Sequence, residues 1–138
     1  MKTSYNHLLF IIFLSFSVGV WGQAKLVILH TNDTHSRIEP VPATDSRNAN
    51  LGGVERRAAY FDSVRKSDKD VLILDSGDFL QGTPYFNMFK GEVETEAMNL
   101  LKYDATTLGN HEFDYGLNTI ASVARRAKFP IVCSNYDF

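Results

Sequence analysis

Four short β-like runs, mostly apolar, punctuate this chain, and a helix-patterned stretch separates each from the next. The runs are Lys25–Thr31, Val71–Leu74, Ala105–Leu108 and Phe129–Cys133. Between the first two, Val54, Ala58, Phe61 and Val64 recur at helical spacing. Val93, Ala97 and Leu100/Leu101 mark a second helix, and Leu117, Ile120, Val123/Ala124 and Ala127 a third. Apolar residues every three to four positions define a helix with one buried stripe. A short unbroken apolar run reads as a strand buried on both faces. The order is therefore β-α-β-α-β-α-β. Such alternation predicts an α/β fold with a largely parallel sheet and helices on both faces. Right-handed crossovers then place every strand-to-helix loop on one rim.

Ligands of open α/β sheets bind at that rim, beyond the carboxyl ends of the strands. Three polar runs fall there: Asp33-Thr34-His35, Gly77-Asp78, and Gly109-Asn110-His111-Glu112-Phe113-Asp114. Two residues apart in an extended loop, Asp33 and His35 point the same way and can share one cation, although Asp33 also suits a turn cap. Gly77 permits a sharp turn, so Asp78 projects from the strand end. A carboxylate there has two oxygens and can serve two cations. Capping the next element is its competing role, and Asp75 is the competing carboxylate. Asn110 offers a neutral oxygen ligand. Asp114 lies one helical turn beyond His111, where it can fix the imidazole tautomer. The alternative is a helix start, with Asn110 as cap and Glu112 and Asp114 as acids complementing the dipole. His30, inside the first strand, reads as a structural or supporting residue. Asp, Asn and His together suit divalent cations, with zinc, manganese, magnesium and calcium all compatible.

The remaining segments are simpler. Lys2 followed by the apolar run Leu8–Val20, ending at Trp21-Gly22, matches a secretory signal peptide over residues 1–22. The run is short for a bilayer span, which takes about 20 residues. The net charge of −2 becomes one unit more negative without Lys2. That balance argues against nucleic acid as a partner, which favours a basic face. One cysteine, Cys133, excludes an internal disulfide, and its apolar neighbours suggest a small buried hydrophobe. Asn32–Gly53 is a long polar loop, a length that is usually functional or disordered. Phe79–Lys90 reads as a loop with a short helix. Glu92 and Glu94 suit the positive end of the helix they open.

The motifs ILHTNDTH (Ile28–His35), DSGDFLQGT (Asp75–Thr83) and TLGNHEFDYG (Thr107–Gly116) resemble the 5′-nucleotidase family of the calcineurin-like metallophosphoesterases. GGVERR (Gly52–Arg57) and FPIVCSN (Phe129–Asn135) resemble it too, in the same order. The resemblance implies the N-terminal portion of a metallophosphoesterase sandwich over residues 23–138. It implies Asp33 and His35 on a first metal, Asp78 bridging, and Asn110 on a second. It implies His111 and Asp114 as the pair that stabilises the transition state and assists the leaving group. The implied reaction is hydrolysis of a phosphoric monoester, with two divalent ions stabilising the attacking and leaving oxygens. The implied partner is a nucleotide or another phosphate ester, outside the cytoplasm, in the periplasm or the extracellular space. No stable membrane anchor is expected after signal cleavage. The family's domain continues with further ligating histidines and a nucleoside-gripping domain. The chain is therefore expected to be truncated, half of a larger two-sheet core with one face bare. The alternative reading is an inactive fragment, or one that needs a second polypeptide.

Overall fold

The computed structural model describes residues 23–136. The expected signal peptide, residues 1–22, lies outside the described residues. Three parallel strands form the sheet in the order β1-β2-β3: β1 (Val27–Thr31), β2 (Val71–Asp75) and β3 (Ala105–Thr106). β1 pairs with β2 along its full length, Val27 opposite Val71 and Thr31 opposite Asp75. The helices are α1 (Val54–Ser67), α2 (Pro84–Phe89), α3 (Glu92–Leu101) and α4 (Leu117–Arg126). α2 is the short helix expected within Phe79–Lys90, with Pro84 in its first turn, where a missing N–H costs nothing.

Two expected strands are shorter than their apolar runs. β3 stops at Thr106. Thr107 N–H still donates to Asp75 O at 3.2 Å, but the Gly109 N–H is drawn to the Glu112 carboxylate at 2.6 Å, and the chain leaves the ladder. The fourth run contributes a single parallel bridge between Ile131 and Thr106. Pro130 has no N–H to donate, so the ladder cannot extend through it. Cys133 beyond the bridge is only half-buried, unlike the buried hydrophobe expected.

Among the described residues the helices cover one face of the sheet, not two. Each step β1 to β2 to β3 moves in the same direction, and right-handed crossovers then leave every helix on the same side. Burial alternates accordingly. Ile73 and Asp75 of β2 are buried toward the helices, whereas Ile28 and His30 of β1 are exposed, Ile28 at 55 %. β1 is thus half-buried rather than covered on both faces.

The core lies between sheet and helices. Phe61 from α1, Ile73, Phe79, Leu80, Phe86, Met98, Leu101 and Val123 are all nearly inaccessible. Phe61 meets Tyr103 edge to face at 5.6 Å, a favoured arrangement of ring quadrupoles. Arg65 near the end of α1 donates to the carbonyls of Leu101 and Lys102 at 2.8 and 2.9 Å. It thereby satisfies carbonyl groups that the end of α3 leaves open.

Candidate metal centre

The three polar runs meet at the carboxyl end of the sheet, zipped together by main-chain hydrogen bonds. Asp33 N–H donates to Gly77 O at 3.1 Å, His35 N–H to Asp78 O at 3.0 Å, and Ser36 N–H to Phe79 O at 2.9 Å. The first loop therefore prolongs the β1–β2 pairing beyond the sheet. The second and third loops touch through glycines. A Cβ on Gly77 would sit 2.5 Å from Gly109 N, and one on Gly109 would sit 2.1 Å from Asp78 Oδ1. Neither position has room for a side chain.

This closeness brings the chemistry-bearing groups together. One ligand atom each from His35, Asp78 and His111 lies within 4.8 Å of the other two. The His35 and His111 rings stand edge to face with centroids 5.0 Å apart. Asp33 Oδ1 lies 3.4 Å from His35 Nε2. The Asn110 amide, turned with its nitrogen toward Asp78, reaches Asp78 Oδ2 at 3.3 Å. The His111 N–H donates to Asp78 Oδ1 at 2.9 Å. His111 Nδ1 meets Asp114 Oδ2 at 2.7 Å, across the single 3-10 turn His111–Phe113. That hydrogen bond to Asp114 is the main reason the His111 pKa rises above its ordinary 6.5. With Nδ1 engaged, the ring's other nitrogen is left for a ligand or a proton.

All six residues singled out by the motifs thus lie on one rim. His30 does not join them and is exposed on β1. Asp75, the competitor of Asp78, is 5 % exposed and inward. It accepts hydrogen bonds from Thr31, the Gly77 N–H and Thr106 at 2.5, 2.9 and 3.0 Å. Burial nevertheless holds its pKa above the usual value, against those hydrogen bonds. Asp75 braces the strand ends and leaves Asp78 as the carboxylate of the site.

Glu112 is the residue that sequence reasoning missed, giving it a role only in the alternative helix-start reading. It is 1 % exposed, not a surface acid at a helix start. Its carboxylate accepts the N–H groups of Asp78, Leu80 and Gly109 at 3.0, 3.1 and 2.6 Å. One side chain therefore fastens the second loop to the third. Burial raises its pKa, while the three backbone donors pull the other way. Its place beside His111 within the motif was the available signal.

Backbone strain concentrates here as well. Asp33, His35, Ser36 and Asp78 have φ of 53°, 44°, 55° and 53°. The left-handed region costs an L-residue about 1–2 kcal/mol, and such outliers gather where the surroundings over-determine them. Beside Asp33 and His35 opens a cavity of about 540 Å³, lined also by Gly53, Arg37, Arg56 and Arg57. Among the described residues these three arginines form no ion pair with a carboxylate.

Oxygen and nitrogen donors gathered at such distances fit a hard or borderline divalent cation. Comparison with known proteins agrees. A family profile described as "Calcineurin-like phosphoesterase" matches residues 26–134. The chain is 45 % identical over 118 residues to a snake venom 5′-nucleotidase of Naja atra, covering 83 % of this chain and 22 % of that protein. It is 43 % identical over 124 residues to the 5′-nucleotidase of Homo sapiens, covering 86 % and 21 %. In three dimensions it resembles a 5′-nucleotidase precursor from Thermus thermophilus, with a TM-score of 0.75 and 46 % identity over 81 % of this chain and 22 % of that one. The chain spans about a fifth of the length of these relatives. Rim, motifs and relatives together place it in the calcineurin-like phosphoesterase family, whose members use divalent metals, and within that family it matches the N-terminal portion of the 5′-nucleotidases.

Proposed function

We propose that this chain carries the cation-binding rim of a phosphoesterase that hydrolyses phosphoric monoesters of nucleotides outside the cytoplasm. The observation that carries the reading is the convergence of His35, Asp78 and His111 on one point. Asp33 and His35 would hold one cation, Asp78 would bridge, and Asn110 would serve the second. When bound, such ions supply charge stabilisation to the entering and leaving oxygens and lower the pKa of water. The protein's own part is then orientation and proton handling. Asp114 holds the His111 ring by Nδ1 and favours its protonated form. His111 can therefore hold a proton against a phosphoryl or leaving oxygen. Arg37, Arg56 and Arg57 give the neighbouring cavity a positive lining, suited to an anionic ester.

Export is part of the proposal, supported by the apolar run Leu8–Val20 behind Lys2. Among the described residues no helix is long and apolar enough to cross a membrane. A second reading is that turnover requires another polypeptide, which would cover the open sheet face where Ile28 and Val132 are 55 and 57 % exposed.

Phosphate release from AMP with manganese or zinc tests the proposal, using the chain alone. Turnover that vanishes in Asp78→Asn supports it. Manganese uptake without turnover favours the partner-dependent reading, and absence of uptake removes the metal centre. His111→Ala is expected to reduce turnover far more than metal content. Loss of a metal in that variant would make His111 a ligand instead.

A further inference from the structure

Beneath the rim lies a buried carboxylate with no part in the chemistry above it. Glu94 stands in the first turn of α3, where an acid is expected to face water and complement the helix dipole. It is instead 3 % exposed. Its Oε1 accepts the hydroxyl proton of Ser36, itself 1 % exposed. The Thr83 hydroxyl, at the start of α2, lies 2.6 Å from Ser36 Oγ and donates to the Ser36 carbonyl oxygen at 2.9 Å. Two helices thus grip the residue that directly follows His35. The second oxygen of Glu94 has no hydrogen-bond partner among the described residues, and Glu94 borders a small cavity of about 20 Å³ shared with Thr34, Arg37 and Arg57.

Burying a carboxylate this incompletely satisfied is unfavourable. A packing role alone would be filled better by an apolar side chain. What the carboxylate provides is direction. Ser36 and His35 both lie in the left-handed region, so the loop adopts its course only while something holds it there. We propose that Glu94 is a positioning residue: through Ser36 it fixes the backbone turn that aims the His35 imidazole at Asp78 and His111. This rests on the reading of His35 as a cation ligand. Partners that orient metal ligands through hydrogen bonds typically contribute 10- to 100-fold to affinity.

The test is titration of the full chain with manganese alone, following free Mn²⁺ by its paramagnetic resonance signal. Glu94→Met, which nearly preserves volume but offers no oxygen to accept the Ser36 proton, and Ser36→Ala are each expected to weaken binding by about tenfold. The double variant is expected to bind no more weakly than Ser36→Ala, because both act through one contact. Phe61→Leu, which loosens the core under α1, and Glu96→Gln, which removes a charge elsewhere on α3, are expected to leave affinity unchanged. They separate positioning from general loss of stability or charge. Parent-like affinity in both Glu94→Met and Ser36→Ala, with the parent binding manganese, overturns this inference and spares the metal centre. A parent chain that binds no manganese overturns both.

Discussion

The rim and the helical layer beneath it are held together by opposite means. Under the sheet, order comes from apolar side chains such as Phe61, Ile73, Phe86 and Leu101, none more than 3 % exposed. At the rim it comes from buried acids: Asp75 bracing strand ends, Glu112 clamping two loops, and Glu94 gripping Ser36. Apolar burial is strong but non-directional. Hydrogen bonds to a carboxylate are weaker in net terms but specify angle and distance. A core tolerates small adjustments, whereas a cation site does not. This chain thus draws its stability from one layer and its geometry from the other.

Substitutions can probe that division. Phe61→Ala is expected to cost about 3–5 kcal/mol of folding stability, a large share of the roughly 5–15 kcal/mol of an ordinary domain. Manganese affinity of the molecules that remain folded should not change. Urea denaturation with parallel metal titration checks both, and a matching loss of affinity would erase the distinction. Glu112→Gln should show the reverse balance. It places an amide nitrogen among three N–H donors, a loss of about 1–3 kcal/mol, yet it should weaken metal binding more than Phe61→Ala does.

Smaller effects refine the contrast within the rim. Asp33→Ala should reduce metal affinity with little effect on the denaturation midpoint, because its side chain is 52 % exposed. Unchanged metal stoichiometry and affinity would remove Asp33 from the site. The smallest expected change is in protonation. His111 should titrate above 6.5 in the metal-free chain, and Asp114→Asn should lower its pKa. Imidazole resonances followed by NMR across pH would show this. The sign for stability follows from linkage: a raised pKa in the folded state contributes stability below 6.5 that is lost as pH rises through the folded value. Asp114→Asn should therefore flatten stability in that interval.

Much of this was legible in the residues. Helical spacing from Val54 to Val64 marked α1, and the apolar runs marked the strand positions. The three motifs marked the rim because strand ends and right-handed crossovers converge there. The open face of the sheet was not legible in the apolar pattern; only the resemblance, which implies half of a two-sheet core, pointed to it. Leu26–Leu29 within the first run is unbroken apolar sequence, and such a run reads alike whether one face or both are covered. Periodicity also could not shorten Ala105–Leu108 to two residues, since the Gly109 N–H is claimed by a side chain three positions on. In the fourth run the apolar pattern does not show that Pro130, lacking an N–H, limits pairing to a single bridge. Glu94 and Glu112 escaped because each stands at a helical start, where acids ordinarily face solvent. Only tertiary structure shows which acids have turned inward.

The meeting of Gly77 with Gly109 bears on how such a centre can change. The spacing between the second and third loops depends on two absent side chains as well as on the Glu112 clamp. A proposed ligand such as Asn110 can be exchanged without moving that frame, which separates the choice of ion from the architecture that receives it. Any enlargement at either glycine, by contrast, would push the loops apart and alter every distance at the centre together.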